Sequence, residues 1–296
     1  MIRKILLCAS ITLGISAQEI APVEEELFDP VATQKAVESW KASEFGLKPH
    51  YPNYLLPYGY ATKNYRSYTP SDQYKQSEAQ LQVSLKIEPY RDLLGLDEVY
   101  SLAYTHRSFW QAYTESSPFR ETNYNPEIFV TFPASYEKYI PSLRSITFGI
   151  GHLSNGQGNI EKADIDFEGD SPYLDNRSRS VNYIYSAISF EYNSLFTKLT
   201  LWLPNRHNND LEDNPDIMDY IGYGNIEWKY FYNDHLLTLM TRMSLETKKG
   251  AVEATYSYPV SENVYFYTKV FSGYGESLID YNINRGKISV GFSFSR

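Results

Sequence analysis

The chain has 296 residues, among them 27 basic and 36 acidic side chains and 28 tyrosines, with 16% aromatic and only 21% charged residues. That balance is unusual for a cytosolic enzyme, and the acidity argues against nucleic acid as a partner. Cys8 is the only cysteine, so no disulfide stabilises the mature protein.

Residues 1–17 read as a secretory signal peptide: Arg3 and Lys4, an apolar run from Ile5 to Ile15, then the small residues Ser16 and Ala17 at the expected cleavage point. Its removal leaves 25 basic residues against 36 acidic ones. Residues 18–44 are acidic and show no alternation, which predicts a periplasmic N-terminal extension with at most a short helix. From residue 45 to 296 the pattern changes. In Leu81–Ile87, Leu81, Val83, Leu85 and Ile87 share one face of a strand and Gln82, Ser84 and Lys86 the other.

The same period predicts strands near 51–59, 79–89, 98–111, 126–133, 143–154, 177–192, 196–204, 217–232, 235–245, 251–258, 263–271 and 286–295, separated by Asn-, Asp-, Gly- and Pro-bearing turns. No later segment approaches the roughly 18 apolar residues of a membrane-spanning helix. An even number of alternating strands behind a signal peptide, with abundant tyrosine for interfacial girdles, predicts an all-β transmembrane β-barrel. A secreted β-sandwich with carbohydrate-binding aromatics is the rival.

Within the 143–154 strand, Ile146, Phe148, Ile150, His152 and Ser154 share one face. The large apolar residues assign that face to lipid, so His152 and Ser154 lie on the outer wall at the strand end. Unpaired polar groups are costly there. A serine nucleophile with a histidine base suits the position if the substrate is a lipid. In the 177–192 segment, Ser178, Ser180 and Asn182 share parity with Ile184, and Asn182 can orient the His152 ring through its amide oxygen. Three other features compete. His106 and Ser108 form a second H-x-S pair within a strand. G-Y-G-E-S-L at 273–278 lacks the final glycine of a nucleophile elbow, Ile279 standing in its place. His207 and His235 are isolated loop histidines.

At these residues the sequence resembles the outer-membrane phospholipase A family. The resemblance rests on H-x-S-N-G at 152–156, S-R-S-x-N at 178–182, Y-T-x-x-S-x-W-Q at 104–111 and E-S-S-P-F-R-E-T-N-Y at 115–124. D-N-P-D-I at 213–217, F-S-G-Y-G-E-S-L-I-D-Y-N at 271–282 and P-N-Y-L-L-P at 52–57 extend it over about residues 45–295. It implies a twelve-stranded antiparallel barrel in the outer membrane of a Gram-negative bacterium, with its active site toward the outer leaflet. It further implies calcium-dependent hydrolysis of acyl esters of phospholipids and lysophospholipids, of A1 and A2 type, switched on by homodimerisation.

By position, Ser154 corresponds to the nucleophile, His152 to the base, Asn182 to the orienting residue and Gly156 to the oxyanion-hole amide. Calcium ligands correspond to Ser178 and the Gln157 carbonyl, with Ser116 from the partner subunit, and to Asp213 in the monomer. A catalytically inactive barrel serving as pore or anchor is the functional alternative.

The chain departs from the family in three places. A long acidic loop separates Gln157 from Ser178, and within it Asp164, Asp166, Glu168, Gly169 and Asp175 take positions one, three, five, six and twelve of an EF-hand-like loop. Glu at five and Asp at twelve break that pattern, and a solvated acidic loop is the plainer reading. His106 stands where the family has an interface glutamine, and Arg296 replaces the usual terminal aromatic.

Overall fold

The computed structural model describes residues 46–66, 74–134, 142–159, 177–205 and 211–296. The predicted leader, the extension, His207 and the EF-hand-like residues of the acidic loop lie outside the described residues. Gly46–Arg296 forms one compact unit.

After a two-residue strand, β1 (Lys48–Pro49), come β2 (Tyr54–Ala61), β3 (Ser77–Arg91), β4 (Val99–Trp110), β5 (Phe119–Pro133), β6 (Leu143–Ser154) and β7 (Ser180–Tyr192). They are followed by β8 (Leu195–Pro204), a single helical turn α1 (Ile217–Ile221), β9 (Gly224–Tyr232), β10 (His235–Met243), β11 (Gly250–Ser261), β12 (Val264–Gly273) and β13 (Arg285–Ser293). Each strand from β2 to β13 pairs antiparallel with its neighbours in sequence. β13 pairs with β2, so twelve strands close into a barrel and leave no open edge. β1 continues the β2 side of β3 one step further along.

Two differences from the sequence expectation have physical causes. The strand expected from residue 217 begins at Gly224, because Ile217 and Met218 belong to α1 and are buried with Val181, Leu211, Leu278 and Tyr281. Their apolarity serves a cap on the barrel mouth, not a lipid face. β5 begins seven residues earlier than expected. Its first turns carry Arg120, Glu121 and Asn123 inward, and a polar interior masks the alternation that apolar residues would display.

Outward positions are apolar: Phe148 and Ile150 on β6, Ile184 on β7 and Leu203 on β8 are each more than half exposed. Inward positions are polar and buried, as with Gln80, Gln82 and Ser84 on β3. Apolar outside and polar inside is the pattern of a strand wall in lipid.

The ends of the barrel differ. At one end the β7–β8 and β9–β10 connections have two residues each, with Asn193 and Asn233 in the left-handed conformation that asparagine tolerates. At the other end lie the longer connections, including 155–179, 205–223 and 274–284. Outer-membrane barrels turn their short connections to the periplasm and their long ones outward. The end bearing Ser154 is therefore extracellular.

Near that outer end the lumen carries a buried ionic cluster. Arg120 bonds Glu78 through Nε at 2.6 Å and Asp280 through Nη1 at 3.0 Å. Lys287 meets Glu78 at 2.9 Å and Glu276 at 2.8 Å, and Arg285 meets Asp280 at 3.0 Å. The Tyr65 ring lies against the Arg120 and Arg285 guanidiniums. Asp280 and Glu276 belong to the 274–284 loop, whose Ile279 amide also donates to Glu121 at 2.8 Å. The loop is thereby pinned inside the mouth.

Candidate active site

β6 and β7 pair so that His152 lies opposite Asn182 and Ser154 opposite Ser180. The His152 Nδ1 and Asn182 Oδ1 are 2.6 Å apart. An amide oxygen only accepts, so Nδ1 is the donor in this bond and Nε2 faces away from Asn182. His152 is exposed on the outer wall. Beneath it a groove of about 890 Å³ runs down that wall, lined by Leu102, Ile128, Ile150, Ile184 and Leu203. Inside the wall, a Cβ on Gly151 would stand 2.4 Å from the Tyr183 ring. The glycine leaves room for that ring behind His152.

Ser154 ends β6, and its Oγ accepts the Gly156 amide at 3.0 Å. Gly156 has φ +63°, and a Cβ there would stand 2.8 Å from Tyr124 Cε2. Both the left-handed backbone and the Tyr124 ring therefore require glycine. Among the described residues, no hydrogen bond joins the His152 ring to Ser154 Oγ.

Three asparagines that the sequence reading does not single out as site residues hold this rim. Asn155 is buried, donates to the Arg177 carbonyl at 2.8 Å and accepts the Arg179 and Gln157 amides at 3.0 and 3.3 Å. Asn214 exchanges two hydrogen bonds with the backbone of Ser180, at 2.9 and 3.0 Å. Asn159 accepts the Ser178 amide at 2.8 Å and donates to Asp213 Oδ1 at 3.0 Å. Asn155 and Asn214 fall within the H-x-S-N-G and D-N-P-D-I matches without a role of their own, and Asn159 reveals itself through tertiary contacts alone. Below them Tyr281 donates to Asp216, and burial, then the Asp216 carboxylate, push its hydroxyl above the ordinary phenol range.

Replacing Asn155 by alanine leaves the Arg179 amide and the Arg177 carbonyl without their partner. The expected result is faster amide hydrogen exchange at 155–159 and 177–180, and a loss of about 1–3 kcal/mol in stability. Unchanged exchange in those segments would show that the rim is held by other contacts.

Of the residues expected to ligate calcium, Gln157, Ser178 and Asp213 are drawn into one neighbourhood by Asn155 and Asn159. Ser116 lies apart on the β4–β5 turn with φ +61°. Hydroxyl, carbonyl and carboxylate oxygens suit a hard cation. The described residues contain no group of three or more His, Cys, Asp and Glu that would suit a transition metal.

The other H-x-S pair also forms: His106 Nε2 and Ser108 Oγ are 2.8 Å apart. Ser108 is buried, and its Oγ is shared with Thr122 at 3.0 Å. Access distinguishes the two serines more than hydrogen bonding does.

A closed barrel with an apolar outer band is a membrane-embedded barrel, and this one carries Ser154, His152 and Asn182 on its lipid-facing wall. A family model described as phospholipase A1 matches residues 32–294. Phospholipase A1 of Salmonella typhimurium is 32% identical over 300 residues, covering 98% of this chain and 96% of that protein. The Escherichia coli phospholipase A1 is 34% identical over 252 residues, covering 83% and 81%.

The solved structure of outer membrane phospholipase A from Escherichia coli matches with TM-score 0.74 and 33% identity, over 86% of this chain and 93% of that one. A Salmonella typhi outer membrane phospholipase dimer with bound calcium matches equally well, with TM-score 0.74, 32% identity and the same coverage. A further structure, of the Escherichia coli protein with an active-site asparagine replaced by alanine, matches with TM-score 0.73 and 32% identity over the same shares. The chain belongs to the phospholipase A1 family and is a Gram-negative outer-membrane β-barrel protein.

Proposed function

We propose that this barrel is a calcium-dependent serine hydrolase that cleaves acyl esters of phospholipids and lysophospholipids at the outer leaflet. It acts at both A1 and A2 positions and as a homodimer. The observation that carries this reading is the 2.6 Å bond between His152 and Asn182 on the lipid-facing wall, two residues from Ser154. That an active-site asparagine is named for the Escherichia coli protein supports the assignment of Asn182.

Ser154 Oγ attacks the ester carbonyl while His152 Nε2 takes its proton, and the serine–histidine contact tightens once substrate occupies the wall. Asn182 holds the ring and its tautomer. The Gly156 amide, now on Ser154 Oγ, turns to the oxyanion that forms on the adjacent carbon. His152 then returns the proton to the departing lyso-lipid oxygen, and water releases the acyl group by the same steps. The apolar groove below His152 receives the acyl chain, which never leaves the hydrocarbon.

The oxygens of Ser178 and Gln157, with the partner's Ser116, would hold calcium in the dimer, and Asp213 would serve in the monomer. When bound, the ion supplies positive charge beside the oxyanion. A passive pore fits less well, because a pore has no use for Ser154, His152 and Asn182 on its lipid face, and its lumen carries the Arg120–Glu78–Asp280 cluster.

The test is fatty-acid release from mixed phospholipid–detergent micelles, with calcium and with excess chelator. Calcium is expected to support release, and the chelator to lower it by roughly 10²–10³-fold, the scale of losing one oxyanion stabiliser. Equal rates in both arms would remove the metal from the reaction. No release by the folded dimer would leave only a barrel.

A further inference from the structure

We propose that the outer wall of β8–β11 carries a seat for one phosphorylated glycolipid of the outer leaflet, its acyl chains in a groove there and a phosphate on Lys248 and Lys249. The site lies on a different wall from His152 and goes beyond the hydrolytic reading.

The groove measures about 1140 Å³ and opens on the lipid side toward the extracellular rim. Leu199, Leu201, Ile226, Met243 and Val252 form its apolar floor. Two outward-facing glycines hollow it. A Cβ on Gly224 would stand 2.5 Å from the Thr200 carbonyl oxygen, and one on Gly250 would stand 2.1 Å from the Arg242 carbonyl oxygen. The hollow is fixed by backbone approach, so no side chain fills it. Its span across four strands is about 14 Å at the usual strand spacing. That width suits a multiply acylated lipid better than the two chains of a glycerophospholipid.

Above the floor the 244–249 turn is tied down. Ser244 N–H donates to the Lys249 carbonyl at 2.8 Å, Lys248 N–H donates to the Ser244 carbonyl at 3.0 Å, and Thr247 Oγ1 donates to the Asp219 carbonyl of α1. The turn presents two adjacent lysines on a chain whose net charge is −9. Lys248 is exposed with φ +62°. The Lys249 ammonium rests 3.8 Å over the Tyr220 ring, which fixes its place and leaves its charge unneutralised.

Among the described residues no carboxylate pairs with either lysine; Glu246 is the one acidic residue of the turn. Tyr223 and Tyr274 line the groove near the same rim, as aromatics do at the headgroup level. Two lysines that line the rim of an apolar hollow, neither paired with a carboxylate among the described residues, complement an acylated phosphate. At the extracellular end of the barrel, the abundant lipid of that description is the phosphorylated glycolipid of the outer leaflet.

The test titrates the full chain in nonionic detergent with bisphosphorylated lipid A and, separately, with phosphatidylglycerol, counting bound copies by native mass spectrometry at 0.15 M salt. Unheated gel mobility verifies that each variant is folded. Wild type is expected to bind one lipid A tightly and phosphatidylglycerol more weakly. Lys248→Gln with Lys249→Gln is expected to weaken lipid A about thirtyfold, and Lys248→Arg with Lys249→Arg to restore it. Lipid A binding unaffected by the glutamine pair would overturn the site. Phosphatidylglycerol binding as tightly as lipid A to wild type would overturn the glycolipid assignment.

Discussion

Ser154→Ala is expected to lower fatty-acid release by at least about 10³-fold while the barrel stays folded. The reason is chemical: among the described residues the Gly156 amide meets the Ser154 hydroxyl on the wall that carries His152, so the variant keeps the wall and rim but loses the proposed attacking atom. Asn182→Ala should cost less, about 10–100-fold, because it removes one orienting hydrogen bond and leaves nucleophile and base in place. The decisive control is Ser108→Ala. Ser108 already bonds His106 at 2.8 Å, so hydrogen bonding alone would make it the better nucleophile. Its burial and its second bond to Thr122 withhold it from lipid, and its loss should change release only a few fold. An inactive Ser108 variant beside an active Ser154 variant would move the site to β4.

How far the sequence carried the reading depends on which side of the wall a residue faces. β6 was legible to its last residue, because Ile146, Phe148 and Ile150 meet lipid and alternate against small partners. The cross-strand pair of His152 and Asn182 was legible as a shared face, since parity fixes which side a residue takes once a strand is assigned. The start of β5 was not. Arg120, Glu121 and Asn123 look like a solvated turn until their partners on β3 and in the 274–284 loop are known. α1 failed for the opposite reason: Ile217 and Met218 look like a lipid face and are packed against Leu278 and Tyr281. Pairing across the lumen is long-range information, and local periodicity does not contain it.

The same division explains how a hydrolase can be built on the outside of a barrel. Lipid offers few polar partners to fix a catalytic ring, so positional precision has to come through the wall. Tyr183, close against Gly151, reaches Asn125 of β5 at 2.9 Å, and Asn155 and Asn214 bind the strand ends from above.

Arg120→Ala tests the interior half of that design. The guanidinium is fully buried and serves Glu78, Asp280 and Ser277 together. Its removal leaves Glu78 with Lys287 and Asp280 with Arg285, so each carboxylate keeps one cation and loses another inside a low-dielectric lumen. The expected loss is about 3–5 kcal/mol, the range for breaking a buried ionic cluster from one side, read as a lower denaturant midpoint for the barrel refolded in vesicles. Because Asp280 and Ser277 anchor the 274–284 loop, the same variant should conduct ions in planar bilayers more readily than wild type. A shift below about 1 kcal/mol would mean that the cluster is hydrated and adds little. A large shift with no rise in conductance would mean that the α1 cap, with Ile217 and Met218, seals the mouth without the loop's charged anchor.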